Sequence, residues 1–422
     1  NAAGYTGDLG KMGIIPAKSG GAKIRGKFQN CANYGIYAVL CYDAEFTLGV
    51  GDGPSSAFQI NGPVGRVKIT GLKGSVGDDM VPLITDNAGF TQYDIRDADA
   101  GSYAAGTKCS DGNIHDVVIL DMQPHVGGSR TVVLAGSTYS IKRVTVRNFQ
   151  GDSSLAGFYA YIDSVAGQTL TVEDFLIDGY YGVFGSNPLL FIGGSPGCTI
   201  NYKNITVRNC GTHGASVGGT PNAYTGGGLV TLGTAAVTGD GLTIDGVDVD
   251  ADLTNAAGSV ALLNCGNGAG VHTLKNTSIV NSTLRGTGST RAIKAMTAGA
   301  NAAPDNVAML DVRVSGNLSG LYDDTSSQAG TTTLQTTNCR TDPGPAANGQ
   351  CGVLSTGGRS MTWIADNLVL SAVSGAFNVY GGSGKTFDLR FSGVKASHRI
   401  FDVSAAHTIN FRSGGGNSSD NF

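Results

Sequence analysis

Charge and aromatic rings are scarce in this 422-residue chain: Asp, Glu, Lys and Arg make up 14% of it, and Phe, Trp and Tyr 7%, with a single tryptophan. The formal net charge of -4 supplies no basic face for a phosphate backbone, which sets nucleic acid aside as a partner. No apolar run approaches the roughly 18 residues of a membrane-spanning helix, so no membrane insertion is expected. Long Glu/Lys/Leu/Ala stretches with helical period are also missing, and helix content should be low. There is no CxxC and no Cys/His cluster, so no metal is expected, and no cofactor-binding pattern stands in its place. The opening NAAGYTGDLGKMG lacks the charged-then-apolar pattern of a secretory signal.

Eight cysteines, at 31, 41, 109, 198, 210, 265, 339 and 351, are scattered along the chain and read mostly as buried free thiols. Cys339 and Cys351, bracketing RTDPGPAANGQ, are the one pair spaced for a disulfide-closed loop.

What is present is glycine, 66 residues of it, together with many Val, Thr, Ile, Asn and Ser: the composition of short strands and frequent turns. One signature recurs, two β-formers separated by one residue and followed by a small or amide residue. It occurs as VKITG (67–71), VVILD (117–121), VTVRN (144–148), FLIDG (175–179), ITVRN (205–209), VDVDA (247–251), STLRG (282–286), VRVSG (312–316) and LRFSG (389–393). The alternation predicts strand and the terminal residue predicts a turn. Equivalent residues lie 31 apart from Val146 to Ile177 and 30 apart from Ile177 to Val207 and from Leu284 to Val314, with other intervals longer or shorter. That spacing is too loose for a propeller and suits a solenoid with a fixed strand and variable loops in each turn.

The expected fold is therefore all-β, a right-handed, single-stranded parallel β-helix. Val/Ile/Leu ladders should fill it, and Asn at the bends should bond to the neighbouring coil while accepting left-handed geometry. A tandem of β-sandwiches is the rival architecture. The chain divides into a lead-in segment at 1–24, a β-helix domain at 25–411 and a polar tail at 412–422, RSGGGNSSDNF.

Chemistry concentrates in GLKGSVGDDMVPL (71–83), where Asp78 and Asp79 stand side by side after a glycine. Two interacting carboxylates supply an acid and a base from one residue type, which is what glycoside hydrolysis requires. The alternatives for a Gly-Asp-Asp are a solvated turn, or a calcium site completed by Asp86 and loop carbonyls.

The longer run DGPSSAFQINGPVGRVKITGLKGSVGDDMVPLITDN (52–87) resembles polygalacturonase-like β-helix enzymes, in which an Asp-Gly element leads a strand and a Gly-Asp-Asp closes a later turn. Within that group its phrasing is most similar to bacteriophage tailspike proteins that cleave host surface polysaccharide. GNIHDVVILDM, GGSRTVVLAG and IKRVTVRNFQGD continue the likeness, which covers about a hundred residues. The resemblance implies Asp78 and Asp79 as acid and base. The resemblance implies a third acidic residue one coil earlier, for which Asp52 is the candidate, although Ser56 stands nearest the expected spacing. A two-carboxylate site, or one completed by Asp86 or by another subunit, stays open.

Arg130 would anchor a sugar carboxylate through a bidentate contact, with a surface ion pair as its alternative role. His125 would hydrogen-bond or tune the site, or else serve only in a turn. The family's glycine-histidine-glycine and arginine-isoleucine-lysine motifs are not present. The aromatic stretches FYAYID (158–163) and YYGVFG (180–185), with Tyr93 and Trp363, are either sugar platforms or core.

The resemblance further implies a homotrimer in the phage virion, acting on bacterial capsular or O-antigen polysaccharide at the host surface, and two ends trimmed of a virion-attachment region and a trimerisation module. Two other functions compete: a glycan-binding receptor spike without catalysis, and a polysaccharide lyase that joins Arg130 to a Tyr or His base. The loops 85–112 and 211–228 are long enough to set specificity.

Overall fold

The computed structural model describes residues 17–28, 34–50, 56–74, 76–85, 112–124, 130–136, 139–152, 160–164, 166–183, 187–212, 216–217, 220–221, 224–256, 258–266, 268–288, 290–343, 352–356, 358–371, 375–397, 399–404 and 406–419. Among these residues the regular structure is β-strand, paired almost throughout in parallel, and the fold is a parallel β-helix. The chain separates into two compact units, one comprising Asn1–Val183 and Leu189–Ile205, the other Phe184–Pro188 and Thr206–Phe422.

In the first unit the strands Tyr34–Val50, Ser56–Thr70, Ile114–Leu120, Ser140–Asp152 and Thr169–Val183 pair in that order, each on the next. Their register aligns Ala44, Val67, Val117, Val144 and Phe175 in one ladder and Phe46, Ile69, Ile119, Val146 and Ile177 in another, all buried. Residues two apart on a strand share a face, so the sequence alternation becomes a stack of apolar rungs.

The second unit repeats the device with Leu242, Thr277, Val307, Leu334, Trp363 and Leu389 in register. It also has a separate seven-stranded sheet, in which Val249, Leu284, Val314, Thr341, Leu370 and Ala396 align. The signature read from sequence therefore merges two kinds of strand. VDVDA, STLRG and VRVSG belong to this second sheet, whereas VKITG, VVILD, VTVRN, FLIDG and LRFSG belong to strands of the first kind.

The terminal small or amide residue of the long-strand signature has a single cause. Gly71, Asp121, Asn148 and Gly179 in the first unit, and Gly246, Asn281, Asp311, Asn338, Asn367 and Gly393 in the second, all have φ between 48° and 78°. Asn and Asp tolerate this left-handed geometry better than other residues with a Cβ. The amides also tie coil to coil: Asn148 Nδ2 donates to Asp121 Oδ1 at 3.1 Å, and Asn367 Nδ2 to Asn338 Oδ1 at 2.8 Å. Cys41, Cys198, Cys210, Cys265 and Cys339 are buried thiols. Cys339 Sγ lies 3.3 Å from the Thr337 carbonyl, while Cys351 is outside the described residues.

Candidate functional site

A four-residue corner organises the site. Strand Asp79–Ile84 pairs with Arg130–Gly136, and the register runs Asp79 to Arg130, then Val81 to Val132, then Pro82 to Val133. Met80 and Thr131, between the first two pairs, are buried, as are Val81 and Val132. Two consecutive buried residues thus separate the Asp79–Arg130 position, the first limb, from the Pro82–Val133 position, the second limb. Strand Ala160–Ser164 stacks on Arg130–Gly136 and Leu190–Ile192 on Ala160–Ser164, which brings Val133, Tyr161 and Phe191 into one row on the second limb.

The sequence thus places Asp79 and Arg130 on adjacent rungs of the first limb, and their side chains meet as a fork. Arg130 Nε donates to Asp79 Oδ1 at 2.7 Å and Nη2 to Oδ2 at 2.9 Å. Only 7% of the Asp79 side chain is exposed, whereas Asp78, at the preceding bend, is 49% exposed and stands with Oδ1 3.7 Å from Arg130 Nη2. One guanidinium therefore serves two neighbouring carboxylates unequally. Burial works against the Arg130 charge, but the charge and hydrogen bonds of Asp79, with Asp78 behind them, outweigh it and raise its pKa.

On the other side the Arg130 guanidinium lies 5.2 Å from the centre of the Tyr161 ring, a cation–π contact. Tyr161 stacks on Phe191 with ring centres 5.5 Å apart and planes 5° from parallel. The Tyr161 hydroxyl donates to Asp163 Oδ2 at 3.2 Å. Asp163 in turn accepts the backbone N–H groups of Ser164 and Ser195, at 2.7 and 3.0 Å, and the Ser195 hydroxyl at 3.0 Å. Gly194 is what makes room for the phenol: a Cβ there would stand 1.6 Å from the Tyr161 oxygen. Burial first, and the Asp163 carboxylate second, push the Tyr161 pKa above its ordinary value.

Of the residues singled out from sequence, Asp78, Asp79 and Arg130 come together. Asp52, Asp86 and His125 lie outside the described residues, as does Tyr93. Trp363 and Tyr180 are fully buried in the core. Tyr161, noted within FYAYID, joins Arg130, but Asp163 and Ser195 were not read as part of any site. The one signal for Asp163 was a lone acid ending an apolar strand, which is also the ordinary look of a turn.

No protein-family model and no curated protein sequence matches the chain. Among solved structures it is similar to the surface protein and adhesin PfbA of Streptococcus pneumoniae, with 10% identity over 88% of this chain and 91% of that one and a TM-score of 0.32. It is also similar to the A-modules of two mannuronan C-5 epimerases of Azotobacter vinelandii. For AlgE4 the identity is 12% over 91% of each chain, with a TM-score of 0.26. For AlgE6 it is 11% over 91% of this chain and 90% of that one, with a TM-score of 0.24.

Proposed function

We propose that this chain is a polysaccharide depolymerase of the phage tailspike kind, hydrolysing glycosidic bonds of bacterial capsular or O-antigen polysaccharide with the carboxylates of Asp78 and Asp79. The observation that carries the reading is the unequal treatment of the two aspartates by Arg130. Asp79 is buried and held in a bidentate fork, which favours its charged form, while Asp78 is half exposed beside the same cation. Adjacent carboxylates in different environments are the arrangement from which acid and base roles are drawn. Asp78, facing solvent, is assigned as the acid that protonates the leaving oxygen, and Asp79, held charged, as the carboxylate base that takes a proton from the attacking water. The guanidinium has five N–H donors, and with two of them on Asp79 others can reach a sugar carboxylate. In this reading the protein is a homotrimer of the virion, acts at the host surface and uses no cofactor; Asp52, Asp86 and His125 remain candidates to complete the site.

The second reading is a spike that grips glycan without cutting it, and the Asp79–Arg130 pair favours it, since a buried fork of this kind also serves structure alone. A lyase that uses Tyr161 as base fits less well, because its hydroxyl is already donated to Asp163.

A reducing-end assay on a panel of purified bacterial polysaccharides, run on the native chain beside Asp78→Asn and Asp79→Asn, separates these readings. Hydrolysis predicts new reducing ends from one polymer and a rate at least about 100-fold lower in Asp78→Asn with the fold intact, the scale of lost proton-transfer catalysis. Asp79→Asn should lose rate and also thermal midpoint, because Arg130 is left partly buried without its charge partner. Binding without cleavage, unchanged by Asp78→Asn, would make the protein a gripping spike, and products that absorb in the ultraviolet would make it a lyase.

A further inference from the structure

The same four-residue corner recurs in the second unit, where it buries a lysine against an aspartate of the next coil. Strands Val260–Cys265, Ile293–Ala298 and Ser319–Asp324 pair so that Ala261, Lys294 and Gly320 align on the first limb and Asn264, Thr297 and Asp323 on the second. The residues between, Leu262, Ala295 and Leu321 with Leu263, Met296 and Tyr322, are all buried. Gly320, the register partner of Lys294, has no side chain, and the lysine crosses that rung to reach the far limb. Its Nζ stands 3.2 Å from Asp323 Oδ1, with the Lys294 side chain 0% and the Asp323 side chain 17% exposed. Arg130 makes the same diagonal step, from the first limb to Tyr161 on the second limb of the next rung.

As an ion pair this contact is costly. An ammonium has three N–H donors. Beyond the contact with Asp323, Lys294 Nζ is buried without a well-directed hydrogen bond among the described residues, and Asp323 Oδ1 is in the same state. Two charges taken out of water and left with unmet donors are less stable than a neutral pair in the same place. Burial raises the Asp323 pKa despite the lysine beside it, so the surroundings favour a proton on the carboxyl group. Passing that proton from Nζ to the carboxylate leaves an amine in contact with a carboxylic acid, with bulk water kept from the nitrogen.

We propose that Lys294 and Asp323 are a self-modification site: the two side chains condense to an amide bond that joins neighbouring coils. Once the proton has moved, the Nζ lone pair attacks Cγ of Asp323 and forms the N–C bond. One Cγ–O bond then breaks, the nitrogen gives a proton to the departing oxygen, and water leaves. An ammonium and a carboxylate thus become an amide and one water, with no change of oxidation state and no co-reactant. Confinement supplies the rate, because groups held in contact react as if at an effective concentration on the order of 10⁵ M or more. Removal of two buried charges supplies the driving force. The part of the Asp323 side chain that is exposed gives the water a way out. The bond would close the loop from Lys294 to Asp323 and so restrict the unfolded chain. No ligand has to reach the pair, and the proposal is independent of the activity of Asp78 and Asp79.

The test is the intact mass of the purified full chain, measured after denaturation, followed by a peptide map. It is run on the native protein beside Lys294→Met and Asp323→Ala. The expected native mass is one water below that of the sequence. The map should contain a branched peptide in which Lys294 is joined to Asp323, and trypsin should fail to cut after Lys294. Both variants should regain the full mass of their sequences and lose the branched peptide. The decisive reading is made on the native chain, so it holds even where a variant folds poorly. A native mass equal to that of the sequence, or a missing water that maps elsewhere in the chain, such as a succinimide at another aspartate, overturns the proposal. So does a mass deficit that persists in both variants.

Discussion

At the scale of single residues, Asp324 shows how the inside of the coil sets a titration. It aligns with Ala298 and Ser355 on the inner side of its strand and is 2% exposed. Burial pushes its pKa up to about 6, against the opposing pull of the Ser326 N–H, which its Oδ1 accepts at 2.9 Å, and of Arg359. A carboxyl whose folded pKa lies above its unfolded value of 3.8 favours folding in its protonated form. Its contribution is fully present below about pH 3.8 and is lost as the pH rises through 6, a change of about 3 kcal/mol at 1.36 kcal/mol per unit. Asp324→Asn should therefore gain thermal midpoint relative to the parent at pH 7.5 and show little or none of that gain at pH 4. Matched thermal scans at the two pH values check it, and a difference independent of pH would refute it. Comparing variant with parent is necessary because His272, buried with its pKa pulled down to about 4 by burial, works in the opposite direction, losing stability as the pH falls from 6.5.

At the scale of the strand and its corner, much was legible in the sequence because local chemistry fixes it. The amide or glycine closing VTVRN and FLIDG marks a left-handed residue that only a few side chains accept, and no tertiary contact is needed to require it. Asn148, at φ 54°, both takes that geometry and bonds to Asp121 of the preceding coil. Asn148→Gly should lose only the bond, while Asn148→Ala adds the steric cost of a left-handed Cβ, about 1 to 2 kcal/mol. Chemical denaturation of the two variants should rank alanine below glycine, and equal losses would mean that the amide bond alone matters there. The four-residue corner, by contrast, was not legible. Its signal is a missed alternation, two inward residues in succession, and in DMVPLI or IKAMTA that looks like any apolar run. Asp79 was found because GDD is conspicuous; Lys294 and Tyr161 were not connected to charged partners, since the diagonal step between rungs depends on a register spanning about thirty residues.

At the scale of the molecule, stacking makes cohesion a matter of neighbouring coils. Each rung touches the rung before and the rung after, so damage in one should spread to adjacent rungs and fade with distance. Trp363 is the sharpest place to test this within the second unit. It is fully buried, its indole N–H donates to Thr336 Oγ1 at 3.0 Å, and its ring meets Phe391 edge-on at 4.7 Å. Its register partners are Leu334 on one side and Leu389 on the other. Truncation to alanine removes the largest side chain of that ladder and should cost about 3 to 5 kcal/mol. In a globular core that loss would be shared by every element. In a stack it should lower hydrogen-exchange protection most in Thr331–Thr337 and Thr386–Ser392, while the strand Ala236–Asp245, several rungs away, keeps its protection. Native-state exchange on Trp363→Ala, read strand by strand, decides between them: a graded loss centred on Ser360–Asp366 is what nearest-neighbour stacking requires, and an equal loss in Ala236–Asp245 would show that the unit unfolds as one body.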